Sequence, residues 1–228
     1  MFNLDTHKAV MVRILRDIYG EVDLRKILGF KGGTMAMLFY GLPRMSADLD
    51  FDLLDEGKKA KVFEKLGKIL SKYGKILEKA EKKFTLFYLL DYGFEERKLK
   101  IEISKRPTET KFEARDFMGI SMMIMTKEAM VACKMAAMVG RKHEANRDVF
   151  DMWYFLKNNF EIDEKVFEEK SELTIGEGWK LMKERVERLK ANEVLFGLGD
   201  LLDASKKDLV KIKMKEELML EIKMKAGE

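Results

Sequence analysis

Asp48-Leu49-Asp50-Phe51-Asp52-Leu53 alternates without a break, and no other stretch of the chain restricts the fold as tightly. Successive side chains of an extended strand point to opposite faces. Asp48, Asp50 and Asp52 therefore share one face, and Leu49, Phe51 and Leu53 share the other. Three carboxylates in a row repel one another and need a counter-charge. A divalent cation such as Mg²⁺ supplies it, because hard cations take oxygen ligands and keep waters and substrate phosphates as the rest of their shell. Upstream, Ile27 to Phe30 reads as a short strand running into Lys31-Gly32-Gly33-Thr34. Met35 to Tyr40 reads as a helix, followed by a turn with Gly41 and Pro43. Two glycines and a threonine ahead of a helix offer close backbone approach, N–H groups and a positive dipole end, which together suit a phosphate. A phosphate cradle, a turn and then paired acids is the layout of a phosphoryl-transfer site.

The flanking pattern predicts an α+β chain. Residues 7 to 19 carry a helical stripe through Val10, Met11, Ile14, Leu15 and Ile18, and Lys58 to Tyr73 form a second amphipathic run. Three strands are expected at Lys75 to Lys82, Phe84 to Asp91 and Lys98 to Ser104. Together these elements make an N-terminal mixed sheet with helices on one face. In the last strand Lys100, Glu102 and Ser104 face one way. On the residues alone Glu102 is either a third site carboxylate or an exposed acid between two lysines. Asp52 is a rival for that role, and Asp91 reads better as a strand-end turn residue. Short strands are expected within Asp116 to Met125, then a helix from Thr126 whose apolar run contains Lys134, a lysine that must snorkel to water or be paired. Asn146 to Lys157 forms another helix, with Trp153, Tyr154 and Phe155 read as core rather than as base-stacking groups. Arg147 and Asp151 have the i, i+4 spacing of a helix-surface ion pair, and His143 reads as a surface loop residue. Helices follow at Asp163 to Glu172 and Gly178 to Lys190. The tail from Val210 to Met224 alternates apolar with charged residues at a strand period, although its residues are helix formers, and strand is the expectation. The expected division is residues 1–115 and a mostly helical 116–228.

The residues in this order resemble a known family. Gly33-Thr34 followed after thirteen residues by Asp48-x-Asp50 resembles the signature of the polymerase beta-like nucleotidyltransferases. The longer string, Lys-Gly-Gly-Thr and then Tyr-Gly-Leu-x-Arg-x-Ser-x-Asp-Leu-Asp-Phe, resembles the AbiEii/AbiGii toxin family. That resemblance implies a palm-like core and transfer of a nucleoside monophosphate from a nucleoside triphosphate to a tRNA or protein hydroxyl. It also implies an antitoxin partner. It makes Asp48 and Asp50 the ligands of Mg²⁺ or Mn²⁺, with Glu102 as general base or third ligand. Gly32, Gly33 and Thr34 become the phosphate cradle. The order Lys134 then Arg147-Asp148-x-x-Asp151 resembles the family's second block, in which the lysine meets the nucleotide phosphates and Asp148 supports it. Arg147 is a weaker candidate for phosphate contact, and Arg44 and Ser46 either line the phosphate or acceptor path or stabilise the turn.

Composition sets the outer bounds. The chain has 228 residues, of which 46% are hydrophobic and 37% charged, with a net charge of +4. This charge permits a nucleic-acid patch without arguing for one. The single cysteine, Cys133, excludes a disulfide framework, and two histidines argue against zinc. No secretory leader is expected, and no uncharged apolar run nears the ~18–20 residues of a membrane span, so the expected location is the cytoplasm without a membrane partner. Abundant Lys and Glu with no Gln predict a thermostable protein. Two other readings remain open on the residues alone. One is a nucleotide- or metal-binding regulator of the same fold without turnover, and the other is an interaction protein whose acids meet a basic partner.

Overall fold

The computed structural model describes residues 4–93, 98–141, 145–190 and 192–227, with nothing said of the Leu4 side chain. His143 lies outside the described residues. The chain forms two compact units. The first comprises residues 1–41 and 45–125, and the second comprises Leu42–Arg44 with 126–228.

The first unit opens with helix α1 (Leu4–Gly20) and the single turn α2 (Val22–Arg25). Strand β1 (Leu28–Lys31), helix α3 (Gly32–Phe39) and strand β2 (Asp48–Leu53) follow, then helix α4 (Lys59–Leu70). Strands β3 (Lys75–Glu81), β4 (Thr85–Asp91), β5 (Leu99–Ser104), β6 (Phe112–Phe117) and β7 (Ile120–Met125) complete it. The seven strands make one sheet in the order β3-β4-β5-β2-β1-β7-β6. The pairs β2·β5 and β1·β7 are parallel and the rest antiparallel. Strand β2 has the bounds its alternation predicts. Its apolar face meets the fully buried Leu99, Ile101 and Ile103 of β5 and the rings of Phe30 and Tyr19, whose centroids lie 5.4 and 6.5 Å from that of Phe51. The helix stripe of α1 packs as expected, with Met11, Ile14, Leu15 and Ile18 all fully buried.

The expected boundary after residue 115 differs from the observed one. Strand β6 begins at Phe112 and forms a hairpin with β7, and β7 pairs with β1 at Phe30↔Ile124. The hydrogen bonds of the sheet therefore carry the first unit on to Met125.

The second unit is built on α5 (Lys127–Gly140), α6 (Asn146–Lys157), α7 (Glu164–Ser171), α8 (Ile175–Arg188) and α9 (Ala204–Ala226). Helix α5 packs against α6, α7 and α8. Gly178 of α8 lets the Phe167 ring approach so closely that a Cβ there would lie 2.3 Å from it. A capping box on Thr174 and Glu177 starts α8, and Asp163 caps α7. The aromatics of α6 belong to the core: Phe155 is fully buried, and the Trp153 indole donates to Glu217 Oε2 at 2.9 Å.

The strand expected for the tail is corrected: residues 204–226 are one helix. The buried residues Val210, Met214, Leu218 and Ile222 recur every four positions, and every fourth residue of a period-two series also follows one face of a helix. Lys, Glu, Leu and Met are strong helix formers, so propensity decides where the period is ambiguous. No helix among the described residues is long and apolar enough to cross a membrane.

Candidate functional site

The acidic face is assembled by strand register. In the parallel pair, Asp48 is the partner of Lys100 and Asp50 the partner of Glu102. On the other side of β2, Lys31 of β1 is opposite Asp50. Paired residues in adjacent strands share a face, about 4.8 Å apart, so Asp48, Asp50, Asp52, Lys100, Glu102 and Lys31 form one polar surface over an apolar core. Two lysines divide the outer acids. Lys31 Nζ is 2.5 Å from Asp52 Oδ1, whose side chain is only 5% exposed, and Lys100 Nζ is 3.1 Å from Glu102 Oε2. Asp91 holds the turn role expected of it: it accepts from Gly93 N and pairs with Lys98.

The glycine element closes on these acids. Gly32, with φ of +80°, opens α3, and a Cβ on it would stand 2.4 Å from Asp50 Oδ2. The glycine thus leaves room for that carboxylate to lie against the backbone at the start of the helix. Lys31, the N-cap residue of α3, makes no side-chain cap, which leaves the helix N-terminus without a capping group from that position. Thr34 departs from its expected part. It is fully buried, and its hydroxyl donates to the Asp48 carbonyl at 2.5 Å. Thr34 therefore fixes where the acidic strand starts. Ser46 is half-buried on the segment leading into β2.

His7 supports the same segment, and sequence reasoning missed it. Its Nε2 lies 2.9 Å from the carbonyl of Ala47, the residue before Asp48, and Nδ1 lies 2.5 Å from the Tyr92 hydroxyl. A carbonyl only accepts, so Nε2 carries a proton. The signal was present, because His7 precedes Met11 by four positions and so belongs to the buried stripe of α1.

The second block forms its own cluster inside the helical unit. Asp151, fully buried, accepts a two-pronged bond from Arg44 (Nε to Oδ1 2.5 Å, Nη2 to Oδ2 2.7 Å). Lys134 Nζ is 2.7 Å from Asp151 Oδ2 and 3.9 Å from Asp148 Oδ1. Of the two readings of Lys134, pairing is the observed one. Burial pushes the Asp151 carboxyl up, but Lys134 and Arg44 outweigh it and hold the group below the ordinary Asp range. Burial likewise opposes the Arg44 charge, and Asp151 more than restores it. The expected surface pair of Arg147 with Asp151 is absent: Arg147 is exposed, while Asp151 points inward to Arg44 and Lys134. Asp148 lies beside Arg141, whose Nε is 2.8 Å away but not aligned as a hydrogen bond, and Asp148 Oδ2 is buried without a hydrogen-bond partner among the described residues.

These side chains fit a hard divalent cation. The donors are carboxylate oxygens, and Gly32 leaves the space that Asp50 needs. No three His, Cys, Asp or Glu side chains among the described residues converge to hold a metal by themselves. An ion such as Mg²⁺ does not require that, since it commonly takes one or two carboxylates and leaves its other positions to waters and substrate phosphates.

The sequence profile of the nucleotidyl transferase AbiEii toxin family, of type IV toxin–antitoxin systems, matches residues 13–215. The chain belongs to this family. Membership makes it a nucleotidyltransferase and groups it with the toxins of such systems, with a nucleoside triphosphate as substrate and an antitoxin as partner. Among solved structures, JHP933 from Helicobacter pylori is similar at 21% identity and a TM-score of 0.63, covering 98% of this chain and 92% of that one. A candidate nucleotidyltransferase from the same organism is similar at 22% identity and a TM-score of 0.63, over 97% and 94% of the two chains. At such identities the likeness is one of fold. No curated protein sequence matches the chain. AbiEii membership agrees with the order of the motifs but leaves each residue's part to be argued from geometry.

Proposed function

We propose that this AbiEii-family chain transfers a nucleoside monophosphate from a nucleoside triphosphate to a hydroxyl of tRNA or protein. In this reading it works in the cytoplasm, and the transfer disables the acceptor. The observation that carries the reading is the seat of Asp50 against Gly32, which brings the acidic strand and the helix N-terminus to one spot. Asp48 and Asp50 would hold Mg²⁺ or Mn²⁺. When bound, the cation neutralises charge at the triphosphate and lowers the pKa of an attacking hydroxyl. The backbone at Gly32 and Gly33 receives phosphate oxygens. Thr34 and His7 keep the start of β2 in place through the carbonyls of Asp48 and Ala47. Glu102, beside Asp50 in register, takes the proton of the acceptor hydroxyl. In the second unit Lys134 is the phosphate-directed cation, oriented by Asp151 and Asp148.

The test is incubation with Mg²⁺, each of four α-labelled nucleoside triphosphates and total tRNA, in parallel with a protein extract. Label should enter one acceptor pool with the unchanged protein and not with Asp50→Asn. Tight nucleotide binding without transfer to either pool would favour a regulator that does not turn over.

A further inference from the structure

Lys100 has a narrow choice of partners. Its cross-strand neighbours are Asp48 on β2 and Leu89 on β4, and Glu102 follows two residues later on the same face. Glu102 in turn faces Asp50 on one side and the largely buried Phe87 on the other. Among these neighbours only carboxylates can answer the lysine, and its ammonium is 3.1 Å from Glu102 Oε2. The contrast with Lys31 is informative. The Lys31–Asp52 pair is shorter and sealed, with the acid 5% exposed, whereas Lys100 and Glu102 are 40% and 35% exposed. Desolvated pairs resist exchange, and water-facing pairs are worth little and open readily. One lysine therefore locks its acid, and the other holds an acid that can be taken from it.

We propose that Lys100 is a positioning residue that competes with the divalent cation for the Glu102 carboxylate. Before the cation arrives, Lys100 offsets the repulsion within the acidic row and keeps Glu102 turned to itself. Once a cation sits on Asp48 and Asp50, the added positive charge draws Glu102 toward it and repels the ammonium, so the candidate base is released only in the loaded site. The inference rests on the two-carboxylate site proposed above.

Binding of Mn²⁺ alone, followed by the loss of its free electron-paramagnetic signal, tests this without turnover. Lys100→Met should bind Mn²⁺ about three- to fivefold more tightly, the scale of a part-exposed ion pair removed from competition. Lys100→Arg, which keeps the charge, should bind as the unchanged protein does. The gain from Lys100→Met should vanish in a Glu102→Gln background, because the competition acts through that carboxylate. Unchanged affinity in Lys100→Met, with binding still lost in Asp50→Asn, would overturn the role of Lys100 and leave the metal site standing. An equal gain with and without Glu102 would reduce Lys100 to plain repulsion and overturn the competition. Absence of Mn²⁺ binding in every variant would overturn the metal site and this inference together.

Discussion

Replacing Gly32 with alanine separates the cost of backbone strain from the cost of displacing Asp50. At φ of +80° an alanine is strained, which costs about 1–2 kcal/mol. For a chain of this size that lowers the melting midpoint by roughly 2–4 °C per kcal/mol. The added methyl group would also lie 2.4 Å from Asp50 Oδ2, where ordinary contact begins at 3.4 Å, so the carboxylate must retreat by about 1 Å. A misplacement of ~1 Å at a reacting centre costs on the order of 100-fold in rate. Gly119 is the control. It has φ of +78° in the β6–β7 hairpin and nothing within 4 Å of its missing side chain, so Gly119→Ala carries the strain without the collision. Both variants are expected to melt a few degrees lower, and only Gly32→Ala should lose transfer of label from a nucleoside triphosphate. Equal activity in the two would refute the reasoning, since the Gly32 cradle would then hold nothing that matters.

Thr34→Val should destabilise by about 1–3 kcal/mol in urea unfolding because it strands the buried Asp48 carbonyl, while Thr34→Ser should stay close to the original. Asp151→Ala should cost about 3–5 kcal/mol, since it leaves Arg44 and Lys134 buried without their acid. The Asp151 carboxyl is held below its unfolded range, so its stabilisation is complete above the ordinary Asp pKa. It fades as the pH falls through the lower folded value. Acid titration of the Asp151→Asn variant should accordingly lack that part of the loss. The Lys- and Glu-rich, Gln-free composition leads us to expect a melting midpoint above the ~45–65 °C of mesophile domains, readable by calorimetry.

What could be read in advance depended on how local each signal was. Strand β2 and helix α6 have the bounds expected from their patterns, because strict alternation and a dense apolar stripe admit one reading each. Glu102 could be matched to the acidic face by parity alone, and the register sets it beside Asp50. The tail misled because its apolar residues satisfy two periods at once over the same stretch. Arg44 was harder still. Its partner Asp151 is 107 residues away, and a Pro-containing turn carries no mark of a buried guanidinium. Thr34 was assigned to phosphate because a hydroxyl in a glycine loop looks free, and only the coordinates reveal that the Asp48 carbonyl has claimed it. Lys100 looked like solvated surface until register put it across from Asp48.

The parallel pairing of β2 with β5 and of β1 with β7 also governs when the protein becomes dangerous during its own synthesis. Asp50 cannot meet Glu102, nor Phe30 meet Ile124, until the ribosome has made the intervening chain, and long loops must close before those contacts give any return. A nascent fragment carrying the glycine loop and both aspartates is thus harmless. The interval before the later strands dock is time in which a partner can arrive first.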